Sequence, residues 1–345
     1  MKILHVTECM NAGVEQAIFY LSNKFKDDDH HLLWASHNDA PTNSQKIADF
    51  FGANASHWQG GWVQKLITYQ KEVSRKKPDV IHVHSSKAGV VTRVLPSKST
   101  LIYSPHCYAF ERQDISLNFR RFIWFIENLL NLNTSAISVN WPIEYHAAQK
   151  MFIKRKIFFI PLVTLNPTMH YVNPTTSNYD FLSIGRLRPQ KDPAFFSEVA
   201  RLVPSAKFLW VGGTESELNS EMSNMSFEIS KWMPTRMLED RIQRSVATLI
   251  TSEWESGPLT LFESLNQGTP VVVRASDYSR LLGIDIWDSP KTMAEECLNI
   301  LNSSKYRSDL LNIQIRKIRD TFEKYENLGN YSSYSEAVYL IGKKS

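Results

Sequence analysis

The chain has 345 residues, 43% of them hydrophobic and 21% charged, an ordinary globular composition with length enough for two domains. A formal charge of +4 is too small to point to nucleic acid, though it suits an anionic ligand or an anionic membrane surface. Cys9, Cys107 and Cys297 are too scattered for a disulfide framework or a metal site, no apolar run is long enough to span a bilayer, and the opening MKILHVTEC reads as a strand and not a signal peptide, so a cytoplasmic protein is expected.

Lys2–Val6 reads as a central parallel strand, followed by a loop to Gly13 and an amphipathic helix over Val14–Phe25. Gly13 falls where the chain must turn from strand to helix and approach a ligand closely, although a plain tight turn explains it equally. His31–Ala35, Asp79–His84 and Leu101–Ser104 are further strands, each followed by polar residues and a helical stretch. This alternation predicts a doubly wound parallel sheet. The loops His82–Gly89 (HVHSSKAG) and Ser104–Arg112 (SPHCYAFER) should rise at the same sheet edge, where such folds bind ligands. A single histidine such as His106 is ordinarily a satisfied loop or core residue.

Asn118–Leu130 (NFRRFIWFIENLL) is amphipathic and aromatic, with Arg120 and Arg121 adjacent. It reads either as a core-facing helix with a solvated basic edge or as an interfacial patch for anionic lipid, a theme extended by Lys150, Phe152, Ile153, Lys154, Arg155 and Lys156. Ile157–Pro161 is the last strand of the first half, and Pro161, Pro167 and Pro174 mark a linker.

The second half opens with the strand Phe181–Ile184 and the loop GRLRPQKDP. Asp192 is placed to cap a helix whose first residue is Pro193. Arg186 and Lys191 lie close enough in that loop to grip one diphosphate, or are simply surface charges. Lys207–Val211 and Phe227–Ser230 are strands, and Trp232 after the latter sits where a nucleotide base or a packing partner belongs. Val246–Ile250 is a buried strand, followed by a polar loop and a helix with Pro258 as its first residue. Leu261, Phe262 and Leu265 keep its apolar spacing, Gly268 caps it, Pro270 stops it, and Val271–Val273 begins the next strand. Glu255 and Glu263 flank the helix start, whose unpaired N–H groups and partial positive charge suit a phosphate. Pro290–Leu301, Leu310–Phe322 and Tyr331–Ile341 close the chain as helices.

The stretch ESGPLTLFES resembles the Glu-x7-Glu signature of family 4 retaining glycosyltransferases of the GT-B fold, usually written E-G-F-G-L-P-x-x-E-A. Glu255, Leu259 and Glu263 match; Ser256 and Pro258 depart from the pattern. GRLRPQKD is similar to the family's donor-diphosphate loop G-R-L-x-x-x-K-D, and Ala12-Gly13-Val14-Glu15 keeps one glycine of its Gly-Gly-x-Glu. HSSKAG followed by PHCYAFER resembles the acceptor domain of bacterial polysaccharide glycosyltransferases. The family's catalytic-centre histidine maps onto His106, and Cys107 stands where glycine is common.

The resemblance implies an α/β GT-B architecture, two Rossmann-like domains with a cleft between them. Residues 1–165 would bind acceptor, with a terminal helix at about 326–345 crossing back, and residues 174–325 would bind the nucleotide sugar. It implies metal-independent retaining transfer from a nucleotide-diphosphate sugar, expected to be a UDP-sugar, to a lipid-linked glycan acceptor of a bacterial surface polysaccharide. No cofactor is implied, and peripheral contact with the inner face of the membrane is expected. Glu255, His106, Arg186 and Lys191 would be catalytic. Gly13, Arg186, Lys191, Trp232, Gly257, Pro258, Leu259 and Glu263 would line the donor site. Arg186, Lys191 and the helix dipole would stabilise the departing diphosphate, Glu255 would hold the sugar hydroxyls, Glu263 the ribose, and His106 the donor sugar or phosphate. The rival readings are a nucleotide-sugar epimerase, an inactive glycosyltransferase-like partner in a synthesis complex, and a membrane-surface scaffold.

Overall fold

The computed structural model describes residues 1–10, 12–36, 44–162, 165, 179–213, 225–327, 334–336 and 338. The chain divides into two compact units, Met1–Leu162 with Lys324–Ser345, and Val163–Glu323.

The first unit is built on seven parallel strands: β1 (Lys2–Thr7), β2 (Asp29–Trp34), β3 (Ala55–His57), β4 (Val80–His84), β5 (Thr100–Ser104), β6 (Ala136–Val139) and β7 (Lys156–Phe159). Their order is β3-β2-β1-β4-β5-β6-β7. A parallel sheet is covered on both faces, so its strands run almost continuously apolar. Ile3, Val80, Ile102, Ala136 and Phe158 accordingly pack with Leu21, Phe25 and Tyr334 in one core cluster. Among the exceptions are His5, His82 and His84, fully buried in strands where a hydrophobe would be routine. Strand order reverses between β1 and β4, which opens a crevice at their carboxyl ends.

The second unit repeats the plan with β8 (Phe181–Ile184), β9 (Phe208–Gly213), β10 (Glu228–Lys231), β11 (Ala247–Ile250) and β12 (Val271–Val273) in the order β10-β9-β8-β11-β12, again parallel. Aromatic stacking fills its core: Phe181 lies 4.9 Å from Phe208, and Phe196 meets Trp210 edge-on at 5.3 Å. Here the order reverses between β8 and β11.

Several expectations shift. The first helix is Ala12–Lys24, so Gly13 lies inside its first turn and not in the turn before it, and its backbone is not left-handed. Pro258 is the N-cap and not the first helical residue. Its extended backbone (ψ 115°) precedes the helix Leu259–Asn266, and Gly268 follows with φ 75° as the cap requires. The helix expected over 310–322 runs Ser304–Glu326. Pro167, Pro174 and most of the expected terminal helix Tyr331–Ile341 lie outside the described residues; Tyr334 is described and buried in the first unit.

The helix Leu117–Leu130 carries its faces inverted. Phe119, Phe122 and Phe125 are 52%, 57% and 48% exposed, with Leu117, Leu129, Leu132 and Phe152 exposed beside them. Turned inward are Glu127 and Asn128. Arg93, wholly buried, donates to Glu127 at 2.6 Å and lies 3.5 Å from the centre of the Tyr103 ring, while the Tyr103 hydroxyl donates to Glu127 at 3.2 Å. Asn128 Oδ1 accepts from the Phe152 amide at 2.7 Å. Breaking a buried pair by removing one partner typically costs about 3–5 kcal/mol, so the polar side is locked inward and the aromatic side faces out. The core-facing reading of these aromatics is thereby corrected.

Candidate functional site

Two loops flank the reversal point of the second sheet. The first leaves β8 as Gly185–Asp192. Its root is fixed by the buried Trp210 indole, which donates to the Gly185 carbonyl at 2.7 Å. Gly185 has φ 155°, and a Cβ there would come within 2.9 Å of Lys191 Cε, so only glycine lets the lysine chain lie back across it. Asp192 caps the helix Pro193–Leu202 through Phe195 N at 3.0 Å, as its sequence position predicts. Its other oxygen pairs with Arg274 at 2.6 Å, and the guanidinium sits 4.5 Å from the Phe195 ring centre.

The second loop leaves β11 as Thr251–Pro258 and is stitched to the first. Thr251 Oγ1 donates to the Lys191 carbonyl at 2.7 Å, Glu253 N to the Gln190 carbonyl at 2.9 Å, and Gln190 Nε2 to the Trp254 carbonyl at 3.0 Å. These bonds set Lys191 and Glu255 face to face as an ion pair, with Ser252 Oγ also donating to Glu255 Oε1 at 2.8 Å. The helix Leu259–Asn266 starts where this loop ends. It is tied to β11 by Ser264 Oγ donating to Thr248 Oγ1 at 2.8 Å, and Glu263 sits half-buried along it. The amides of Leu259 and Thr260 have no partner within the helix, as in any first turn.

Arg186 follows Gly185 with its side chain exposed and, among the described residues, pairs with no carboxylate. Trp232 follows β10 at 47% exposure. Its ring lies 3.0 Å from the position a Cβ would take on Gly212, whose own neighbour at 2.6 Å is the Gly185 carbonyl. Arg186, Lys191, Trp232, Glu255, Gly257, Pro258 and Leu259 therefore share one sheet edge. Arg274, Ser252, Thr251 and Gln190 support it and were not singled out from sequence. Asp192 and Arg274 pair across 82 positions, a separation no local pattern can disclose.

His106 and Gly13 belong to the first unit. His106 and Cys107 leave β5 with φ 47° and 82°, a left-handed pair without a glycine. The loop is held by the buried Glu144, which accepts from Cys107 N at 2.9 Å and Asn140 N at 2.8 Å. His106 is half-buried, and burial lowers its pKa to about 4 against the opposing pull of Asn140 beside it. Its Nε2 lies 2.9 Å from His84 Nδ1.

Residues 171–280, which span both loops of the second unit, match the family model described as Glycosyl transferases group 1. An uncharacterized 41.2 kDa protein in the cps region of Klebsiella pneumoniae is 25% identical over 79% of this chain and 80% of its own length. The UDP-Gal:alpha-D-GlcNAc-diphosphoundecaprenol alpha-1,3-galactosyltransferase of Escherichia coli is 24% identical over 61% of each chain. Among solved structures, sucrose-phosphate synthase from Thermosynechococcus elongatus superposes with a TM-score of 0.76 over 99% of both chains at 12% identity. The chain thus has the GT-B fold, and its residues 171–280 are similar to the group 1 glycosyl transferases.

Proposed function

We propose that the chain is a retaining, metal-independent transferase that moves a hexose from a UDP-sugar to a lipid-linked glycan acceptor of a bacterial surface polysaccharide. The observation that carries this reading is the Lys191–Glu255 pair at the reversal point of the second sheet, beside a helix start. Breaking the anomeric C–O bond leaves positive charge on the sugar and new negative charge on the diphosphate. Lys191 would leave its carboxylate partner for that diphosphate, joined by Arg186 and the amides of Leu259 and Thr260. Glu255, released from the lysine, would accept from the sugar hydroxyls and face the developing cation. Trp232 would stack on the base, and Glu263 would hold the ribose. His106, from the first unit, would contact the donor. Gly13, inside a helix, is retained only as a backbone lining of that unit's crevice.

The cps-region relative and the galactosyltransferase named for a diphosphoundecaprenol substrate support the acceptor class. A lipid-linked acceptor would bring the enzyme to the inner face of the membrane. No helix among the described residues is long and apolar enough to cross one. The outward aromatic face of Leu117–Leu130, rimmed by Arg121, Lys150 and Lys154, would instead lie on the headgroups.

The test is transfer itself: purified protein, a UDP-sugar panel and a polyprenyl-diphosphate glycan, with the product anomer read by NMR and EDTA added in parallel. Retention of configuration and an EDTA-insensitive rate are expected. Donor turnover that yields only an epimer, or no turnover with any donor, would overturn the reading. Co-sedimentation with anionic vesicles, lost in Phe119→Ser/Phe122→Ser, checks the membrane contact.

A further inference from the structure

The transfer chemistry proposed above calls on one histidine, yet three more stand in file behind it. His30 is on β2, His5 on β1, His84 ends β4 and His106 follows β5, so the strand order β2-β1-β4-β5 sets them side by side. His106 Nε2 lies 2.9 Å from His84 Nδ1, His84 Nε2 lies 3.1 Å from His5 Nδ1, and His5 Nε2 lies 3.0 Å from His30 Nδ1. The file ends where His30 Nε2 meets the Phe25 carbonyl oxygen at 2.9 Å.

That carbonyl decides the direction of every bond. A carbonyl can only accept, so His30 must carry its hydrogen on Nε2, leaving Nδ1 bare. His30 Nδ1 then accepts from His5, whose hydrogen must also be on Nε2. The same logic passes through His84 to His106. Burial keeps the rings neutral, pushing His5 and His84 well below the usual histidine range and lowering His30. A neutral ring has one hydrogen, so the file runs one way only.

We infer that His84, His5 and His30 are positioning residues that fix His106 as its Nε2–H tautomer, with Nδ1 bare as a hydrogen-bond acceptor. Asn140 is the neighbour that would favour the other tautomer. Its Nδ2 is committed to the Ile160 carbonyl at 2.7 Å, so its oxygen is the acceptor an Nδ1–H of His106 would use, and the Phe25 carbonyl at the far end of the file is what denies His106 that hydrogen. Resting on the proposed role of His106, the consequence is that it accepts from a hydroxyl of the bound ligand and donates nothing to a phosphate oxygen.

His5, His82 and His84 each bring a nitrogen within 4.8 Å of the others, a spacing a metal ion could use. Their nitrogens are already engaged, however. Those of His82 face Tyr334 OH at 2.6 Å and Ser104 Oγ at 2.8 Å, and both nitrogens of His5 and His84 lie in the file.

The experiment is a long-range ¹H–¹⁵N correlation spectrum of the full chain labelled at histidine. Wild type is expected to show Nε2–H and bare Nδ1 at His30, His5, His84 and His106. In His5→Leu, His84 loses its acceptor, moves its hydrogen to Nδ1 and donates to His106 Nε2, so His106 becomes Nδ1–H. The transfer kcat should fall by about tenfold or more in that variant. His5→Gln offers one donor and one acceptor, so it should restore the wild-type pattern and bring kcat back to within about twofold. If His5→Leu does not fold, His30→Phe makes the same cut from a half-exposed position. A wild-type His106 protonated on Nδ1, or a tautomer unmoved by the cut, overturns the inference. So does stoichiometric Co²⁺ uptake with visible ligand-field bands that His5→Gln abolishes. His106→Ala with undiminished transfer would remove the role proposed for His106, while the tautomers of wild type and His5→Leu would still decide whether the file sets its hydrogen.

Discussion

The two sheets reverse their strand order at equivalent places, and each reversal point is furnished differently. Between β1 and β4 sit fully buried histidines, held neutral and bonded mainly to one another. Between β8 and β11 sit a lysine and a glutamate, part-exposed and paired. Topology supplies a crevice in both cases. What the crevice can do follows from whether its groups are charged and reachable or neutral and pre-wired. The charged one suits a ligand that carries its own charge, because in the proposed reaction Lys191 and Glu255 would exchange each other for a diphosphate and a sugar. The neutral one suits a fixed hydrogen-bond pattern.

The sharpest way to break that contrast is to remove the charge. Lys191→Ala should lower kcat by about 10²–10³, the usual effect of losing one donor to a developing anion, while thermal unfolding stays near wild type because the pair is part-exposed. Glu255→Ala should do likewise, and a steady-state assay with an unfolding curve reads both. A full rate in the folded Lys191 variant removes the leaving-group role, and a full rate in the folded Glu255 variant removes the sugar-holding role. Next in size, Trp232→Ala should weaken donor binding by about 1–3 kcal/mol if the indole stacks on the base, measured by calorimetry. No change would make Trp232 a packing residue for Gly212.

The neutral crevice predicts a pH signature. His82 is held down to about 3 by burial, against 6.5 for a free ring. Above pH 6.5 neither folded nor unfolded chain binds this proton, so the residue contributes nothing. Between pH 6.5 and about 3 only the unfolded chain binds it, so stability falls as pH falls, by about 1.4 kcal/mol per pH unit for each such ring. Urea unfolding at pH 7, 6 and 5 should show this slope, reduced in His82→Asn; an identical slope in the variant would contradict the assignment. Smallest of all, Cys107→Gly should stabilise by about 1 kcal/mol or less. It relieves a left-handed φ of 82° but loosens the unfolded chain.

How much of this is legible in the sequence depends on how local the cause is. The Asp192 cap, the Gly268 stop and the loop holding Arg186 and Lys191 are short-range patterns and stand where the sequence puts them. The strand Ala136–Val139 is only four residues between polar flanks and carries no such signal. The histidine file is invisible in the sequence because His5, His30, His84 and His106 meet only through strand order. The helix Leu117–Leu130 shows where periodicity runs out. Its spacing tells that one face is aromatic and one polar, yet which face is buried is decided by Arg93, paired with Glu127 across 34 positions.

All of the proposed chemistry requires a nucleotide-diphosphate sugar bound by the loops after β8 and β11. Thermal unfolding of wild type and Lys191→Ala across UDP-, GDP- and ADP-sugars tests this most directly, since a ligand of the folded state at about a hundred times its Kd stabilises by about 2.7 kcal/mol. The expected result is a raised Tm for wild type with a UDP-sugar and little or none for the variant. Equal shifts in both proteins, or none with any nucleotide sugar, would contradict it.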